Sequence, residues 1–421
     1  MSLLQGARKY LLRPRNGPVP RCLSATCARR QLHYSGALQK QRASSPSADP
    51  ATTAQPTVIF SGIQPTGVPH LGNYLGALRQ WVSLQNEAAP STTLYYSIVD
   101  LHSLTSRSQS PAERKLAKRQ ALASLLACGL DPTRSVLYHQ SSVPQHAELH
   151  WILSCDASMG LLSRMTQWKS KLADDGVIIE DPLDKQSPNP RSAERLKLGL
   201  FSYPVLQAAD ILLYAATHVP VGEDQVQHIE FARNTANVFN STYGRSSEKA
   251  KARQILTPPD CIVSPAKRVM SLAEPEKKMS KSHALLRSRI LITDSAEEIG
   301  KKIRAAVTDS EDTVTYNPAQ RPGVSNLLDI ISYMENGGHG PQDVASDFQN
   351  MQVTGSRLRV LKELAATVVT QHLHPIRQNY ERLLGERNGK DVDDIAHQGQ
   401  EKASKKAEKT MREVREAIGI S

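Results

Sequence analysis

The stretch from Thr57 to Trp81 constrains this chain more than any other. It reads as a buried strand, Thr57 to Ser61, then a turn, then a helix from about Leu71. The turn carries Gly62, Pro65, Gly67 and Pro69, residue types that set tight or left-handed backbone. Leu71, Leu75, Leu78 and Val82 recur at spacings of three and four, the period of a helix. A strand that feeds a Gly-rich turn into a helix N-terminus presents free N–H groups and a favourable dipole, and so suits an anion. His70 and Asn73 fall in the first helical turn, within reach of a phosphate. An ordinary βα turn with His70 as a helix-start residue accounts for the same residues.

The rhythm repeats. A second strand runs from Thr93 to Val99 and ends at Asp100 and His102. Ser110 to Glu113 forms a capping box with Pro111 at the first helical position, and Gly129 closes that helix. A third strand, Ser135 to Gln140, precedes a helix from about Pro144 to Ser158. Strand and helix alternate once more at His218 to Gly222. Such alternation predicts an α/β fold, a doubly wound parallel sheet covered by helices. Ligands then bind beyond the carboxyl ends of the strands, where Gly62, Asp100, His102 and Gly222 fall. Residues 173–195 are polar and Pro-rich and read as a surface insertion. From about residue 323 the pattern becomes helical throughout, with Leu358, Leu361, Ala365, Val368 and His372, then Ala403, Ala407, Met411, Val414 and Ile418. Asn317 to Gly323 is expected to act as a hinge before a C-terminal helical domain.

Three segments carry candidate chemistry. In the mostly apolar run Phe201 to Tyr214, Pro204 suits a helix start. Tyr203, Gln207, Asp210 and Tyr214 make one polar stripe on an otherwise buried helix. A buried carboxylate needs donors, so Asp210 either joins a structural network or faces a ligand. Between Val219 and Gln225, Glu223 and Asp224 suit the start of a helix. Alternatively Gly222 admits a nucleotide and an acid receives its ribose hydroxyls. Glu276 to Ser282 is a Lys-rich loop, either solvated or a clamp on a polyphosphate.

Composition limits the classes left. The chain has 421 residues, enough for two or three domains, and no apolar run of spanning length. Of its net charge of +11, residues 1–49 supply +8, from nine Lys or Arg against Asp49 alone. The basic balance therefore belongs mainly to an Arg-rich, acid-poor leader, expected to be a mitochondrial presequence over residues 1–50; a basic arm that binds RNA is the alternative. Residues 43–56 read as a linker. Cys22, Cys27, Cys128, Cys155 and Cys261 show no metal or disulfide spacing and are expected to be reduced thiols. Lys402, Lys405, Lys409 and Arg412 share a face of the last helix, usually a solvated one.

Taken together, these segments resemble the class I aminoacyl-tRNA synthetases, specifically the tryptophanyl enzymes of bacterial and mitochondrial type. The likeness runs from about Val58 to Ser332. Its motifs are Phe60-Ser-Gly-Ile-Gln-Pro-Thr-Gly, Gly72-Asn-Tyr-Leu-Gly-Ala-Leu, Ile98-Val-Asp-Leu-His, Arg164-Met-Thr-Gln-Trp-Lys, Ala208-Ala-Asp-Ile-Leu-Leu-Tyr, Val219-Pro-Val-Gly-Glu-Asp-Gln, Lys278-Met-Ser-Lys-Ser and Ala306-Val-Thr-Asp-Ser. Pro69 to Asn73 stands for the class signature His-Ile-Gly-His, with Asn73 in place of its last histidine.

The resemblance implies a Rossmann-type catalytic domain over 56–320 and a helical, anticodon-binding domain over 321–421. It implies activation of L-tryptophan by ATP with Mg2+, no dedicated protein metal site, transfer to the tryptophan tRNA, a homodimer, the mitochondrial matrix, and no membrane. Gln64, Pro65, Thr66, Gly72 and Asn73 would hold ATP, Gly222, Glu223 and Asp224 its ribose side, and Val269 and Met279 its adenine. Lys278 and Lys281, flanked by Ser280 and Ser282, would stabilise departing pyrophosphate, helped by Lys171 from another segment; Gln64, Asn73, Lys278 and Lys281 are the catalytic candidates. Asp210 would accept the indole N–H, Tyr203, Gln207 and Gln225 would hold the ammonium, and Phe60, Val99 and His102 would line the rest. Gln207 stands where many bacterial members have Met. Tyrosyl-tRNA synthetase is the nearest rival reading, and a non-catalytic RNA-binding derivative a rival of another class.

Overall fold

Five short strands, each rich in β-branched or aromatic residues, pair side by side in parallel in the order β3-β2-β1-β4-β5. The computed structural model describes residues 56–105, 109–174, 196–244, 253–263, 268–281, 283–335 and 339–421. The expected presequence with Cys22 and Cys27, and nearly all of the insertion at 173–195, lie outside them.

Strand β1 (Val58–Ile63) is central and leads through the Gly-rich turn into α1 (Leu71–Asn73). A π-helical turn, Tyr74–Leu78, joins α1 to α2 (Arg79–Glu87), so the helix expected from Leu71 is one helix with a bulge. Its Leu71, Leu75 and Leu78 are buried as their spacing predicts. Strand β2 (Thr93–Ile98) follows, then α3 (Pro111–Ala127), which begins with the expected reciprocal capping box between Ser110 and Glu113. Strand β3 (Ser135–His139) stops one residue before the expected end, and the Gln140 side chain accepts from the Leu101 N–H at 3.0 Å. Helices α4 (Gln145–Asp156), α5 (Met159–Ser163) and α6 (Thr166–Asp174) come next.

Helix α7 (Leu198–Leu212) corrects one expectation. It starts at Leu198, six residues before Pro204, so the proline lies inside the helix. The first turn is exposed, with Leu198 75% exposed, whereas Phe201, Tyr203, Pro204, Val205, Ala208, Ala209 and Ile211 are all buried, so packing of the later turns offsets the hydrogen bond that the proline lacks. Strand β4 (His218–Val221), α8 (Val226–Tyr243) and β5 (Asp260–Val263) complete the sheet. The chain places β2 and β3 on one side of β1 and β4 and β5 on the other. The crevice between the carboxyl ends of β1 and β4 is therefore the point where strand order reverses, the usual ligand position in such sheets.

The remaining helices are α9 (Ala296–Arg304), α10 (Pro322–Met334), α11 (Pro341–Gln349), α12 (Arg357–Gly385) and α13 (Lys390–Ile418). Residues 56–421 form one compact unit. Helix α12 packs on α9, α10 and α3, while α13 returns to β3. There Ala403, Ala407, Met411 and Val414 join the same apolar core as Phe60, Tyr95 and Tyr138. Gly399 makes this approach possible, because a Cβ at that position would stand 1.8 Å from the Leu137 carbonyl oxygen.

The expected hinge at Asn317 to Gly323 is instead pinned. Arg321 is buried and donates to both Asp309 carboxylate oxygens (2.9 and 2.6 Å), to Thr313 (2.9 Å), to Thr315 (2.8 Å) and to the Glu311 carbonyl (2.8 Å). Every donor of its planar head is matched, which fixes the chain where flexibility was expected. Cys128, Cys155 and Cys261 are free thiols; Cys155 is exposed, and burial pushes Cys128 up to about 12. No helix among the described residues is long and apolar enough to cross a membrane.

Candidate active site

At the carboxyl end of β1 the turn folds around its own side chains. The His70 Nδ1 accepts from the Asn73 N–H (3.3 Å), and the Asn73 carboxamide oxygen accepts from the His70 N–H (3.2 Å). This reciprocal cap closes α1 and fixes the proton of a neutral His70 on Nε2. Burial, then the nearby charges of Lys281, Arg289 and Lys278, lower the His70 pKa to about 4, so the ring is uncharged near neutral pH. Gly72 is needed here, since a Cβ would press on the His70 ring at 3.0 Å. Gly67, at φ 94°, takes the left-handed conformation that favours glycine.

The Lys-rich loop folds back on this turn. Met270 and Lys278 form an isolated antiparallel bridge, and the Met279 N–H donates to Val269 at 3.0 Å. Val269 and Met279 are both buried, whereas Lys278 and Ser280 are exposed. The Asn326 side chain on α10 clasps the base of the loop, accepting from the Met270 N–H (2.9 Å) and donating to its carbonyl (3.0 Å). The loop thereby delivers Lys281 to Gly67, where a Cβ would lie 3.1 Å from Nζ. That ammonium is buried and has no hydrogen-bond partner among the described residues. Burial, and then the charge of Arg289, lower its pKa to about 8. A buried cation without a counter-charge is costly, and a polyphosphate at the turn would supply one. Gln64, Pro65 and Thr66 lie in the same turn, with Thr66 N–H donating to the Gln64 carbonyl at 2.8 Å. Ser282 and the side chain of Lys171 lie outside the described residues.

Across the crevice, β4 ends at Gly222 and a single 3-10 turn, Glu223–Gln225, precedes α8. A Cβ on Gly222 would stand 2.8 Å from an Asp224 carboxylate oxygen. The other oxygen of Asp224 accepts from Gln167 (3.1 Å) and Gln225 (3.2 Å). The exposed carboxylate is thus oriented, with capacity left to accept hydroxyl groups.

Asp210 lies deeper, 1% exposed. One oxygen accepts from Gln140 Nε2 (2.7 Å) and His146 Nδ1 (2.6 Å), the other from His102 Nε2 (2.9 Å). Burial raises its pKa, but the charge of His146 and the donations from His102 and His146 outweigh burial and hold it at about 2. The group is a carboxylate at neutral pH with one oxygen doubly engaged and the other singly. Phe60, Val99 and Tyr214 are buried as well, Phe60 and Tyr214 stacking at 5.8 Å. Asp100, also at a strand end, is held differently: Lys118 and Ser141 keep its carboxyl below the usual range against the opposing effect of burial, which ties it to the scaffold.

Tyr203, Gln207 and Gln225 do meet. Tyr203 donates to Gln167 (2.8 Å) and lies 3.3 Å from His228 Nε2; Gln225 Oε1 faces His228 Nδ1 (3.0 Å) and Gln207 Nε2 (3.4 Å). Sequence reasoning missed Gln140, His146, Gln167 and His228, all of which touch residues it named. Two signals were available: Gln167 sits within the Arg164-to-Lys169 motif, and His228 lies three residues past Gln225, on the same face of a helix.

A family model described as tRNA synthetases class I (W and Y) matches residues 52–373. The chain belongs to that family. It is 43% identical over 365 residues to the mitochondrial tryptophan–tRNA ligase of Schizosaccharomyces pombe, covering 86% of this chain and 95% of the relative. The mitochondrial tryptophan–tRNA ligase of Saccharomyces cerevisiae is 40% identical, over 86% of this chain and 90% of the relative. Among solved structures, tryptophanyl-tRNA synthetase from Campylobacter jejuni complexed with ADP and tryptophan superposes with a TM-score of 0.67 at 31% identity, covering 86% of this chain and all of that one. Two expectations are thereby met: the α/β Rossmann-type sheet with its helical region, and the synthetase family.

Proposed function

We propose that this protein activates L-tryptophan with ATP and transfers the tryptophanyl group to the tryptophan tRNA for mitochondrial translation. The observation that carries the substrate is Asp210: a buried carboxylate, held ionised by three donors, is suited to receive the indole N–H. The similarity to mitochondrial tryptophan–tRNA ligases supports the same reading. A phenylalanine side chain has no donor to offer and would leave that carboxylate's remaining site unmatched.

In the activation step a substrate carboxylate oxygen attacks the α-phosphorus of ATP. The bond from that phosphorus to the bridging oxygen breaks, and pyrophosphate leaves with the electron pair. The adenylate then passes its acyl group to the terminal ribose of the tRNA, on its 2′ hydroxyl, and AMP departs. No protein nucleophile takes part; the rate comes from position and from charge placed where charge develops. Tyr203, Gln207 and Gln225 hold the ammonium, and Phe60, Val99 and His102 wall the indole. Gln64, Pro65, Thr66, Gly72 and Asn73 line the phosphates, Gly222, Glu223 and Asp224 receive the ribose, and Val269 and Met279 form the adenine wall. Lys278 and Lys281, with Ser280 between them, meet the departing pyrophosphate. Magnesium carried by the nucleotide would supply further neutralisation of the phosphate charge beside Lys278 and Lys281. Among the described residues there is no group of three or more His, Cys, Asp or Glu to hold it.

The working form is a homodimer in the mitochondrial matrix, and the helices after Pro322 approach the tRNA anticodon. ATP–pyrophosphate exchange by residues 56–421, with tryptophan and tyrosine in parallel, tests the central reading. Exchange with tryptophan alone is expected; tyrosine-dependent exchange, or none from folded protein, would overturn it.

A further inference from the structure

Asp210 does not hold itself in place. His146 is 0% exposed, one helix away from the carboxylate, and uses both ring nitrogens: Nδ1 lies 2.6 Å from Asp210 Oδ1 and Nε2 lies 2.9 Å from the Tyr214 hydroxyl. Tyr214 is buried and its pKa is raised well above the usual phenol value, mainly by burial, so its hydroxyl keeps its proton. A carboxylate can only accept, so Nδ1 donates to Asp210, while Nε2 shares a hydrogen bond with the Tyr214 hydroxyl and lies 3.4 Å from that of Tyr138. Tyr214 is fixed in turn by stacking on Phe60 at 5.8 Å and on Tyr95 at 4.5 Å.

The consequence is an asymmetric carboxylate. Oδ1 receives His146 and Gln140, whereas Oδ2 receives His102 alone. A carboxylate oxygen has two lone pairs, so Oδ1 is filled and Oδ2 retains one acceptor position. We infer that His146, ordered by Tyr214, is a positioning residue that saturates Oδ1 of Asp210 and so directs the indole N–H to Oδ2. The inference rests on the substrate reading above. The titratable groups facing Asp210 are His102, His146, His150, Tyr138 and Tyr214. Asp210 is the only acid among them. Removing the His146 donor takes away a hydrogen bond and a favourable charge, so the Asp210 pKa must rise toward its burial-dominated value.

The test compares intact protein with His146→Leu, His146→Asn and Tyr214→Phe. Three quantities are read: the pH profile of kcat/KM for tryptophan in ATP–pyrophosphate exchange, the KM for ATP, and discrimination against an analogue with sulfur in place of the indole N–H. The intact protein is expected to favour tryptophan by on the order of 10²-fold, the value of a hydrogen bond to a charged acceptor. In His146→Leu the acid limb moves upward by about one pH unit or more and the preference falls about tenfold, with the KM for ATP unchanged. Asn, which retains a donor near Nδ1, restores most of both. Tyr214→Phe keeps the stacked ring and moves both in the same direction by less. A folded His146→Leu with intact acid limb and intact preference would overturn the proposal. If that variant does not fold, an unmoved limb and preference in a protein carrying both Tyr138→Phe and Tyr214→Phe, which strips Nε2 of its two hydroxyl neighbours, would do the same. Loss of exchange in the intact protein itself rejects the substrate reading instead, and intact exchange without N–H preference rejects the Asp210 assignment.

Discussion

Lys281 shows how much a single side chain reveals when its partner is missing. Its ammonium is buried against Gly67 without a hydrogen bond among the described residues, and its pKa falls from 10.5 to about 8. Below pH 8 both folded and unfolded chains hold this proton; between about 8 and 10.5 only the unfolded chain does. The group's contribution to stability therefore rises as pH rises through that window, because folding no longer buries a charge. A polyphosphate reverses the preference and restores the proton. Nucleotide binding above pH 8 should therefore take up protons, measurable by calorimetry in buffers of different ionisation enthalpy. No uptake would mean that Lys281 does not meet the phosphates. Lys281→Met should lower exchange by about 10²- to 10³-fold, the usual effect of removing a group aimed at developing charge, with little change in the KM for tryptophan. In the sequence, Lys281 was legible only as part of a motif. Its isolation is a property of the fold, because it depends on Gly67, more than two hundred residues away. Asp210 was more legible: an acid in an apolar helix must find donors, and it does. Which donors was hidden, since His146 lies on another helix and no periodicity says which helix faces which.

At the scale of elements, the strongest sequence signals were those enforced locally. The Ser110–Glu113 capping box, the apolar stripe of α1 and α2, and the period of α12 and α13 are made by neighbours and appear where their spacing puts them. Tertiary burial decided the exceptions. Pro204 reads as a start signal, yet α7 continues back through an exposed first turn to Leu198, and only from Phe201 on is most of the helix buried. β5 has no buried residue, and so its sequence carries no strand signal. The contact of α13 with β3 depends on a glycine that looks unremarkable in a polar helix. Gly399→Ala should cost about 3 kcal/mol of stability, at the upper end for overpacking, because the added methyl meets backbone that cannot rotate away. Chemical denaturation of the two proteins measures this, and equal midpoints would mean that α13 does not lie as close to Leu137. Arg321→Lys should cost about 2 kcal/mol by the same measurement, since one ammonium cannot replace a fork that satisfies Asp309, two threonines and a carbonyl.

For the whole molecule, residues 56–421 hold together as one unit, and the charge that makes the chain basic lies mainly outside it. A chain beginning at Pro56 should keep the melting temperature and the tryptophan-dependent exchange of the full sequence; a large loss of either would show that the leader contributes to the fold. Tyr74 of the π turn reaches His372 of α12 at 2.8 Å, Asn326 of α10 clasps the Lys-rich loop, and Arg415 of α13 binds Glu148 of α4 through two contacts of 2.7 Å. The later helices thus brace the site rather than merely follow it. That last ion pair joins residues 267 positions apart. Until the last helix docks, the apolar faces of α4 and β3 have no cover, so closure of this core waits on a contact made across most of the sequence, the kind that slows folding.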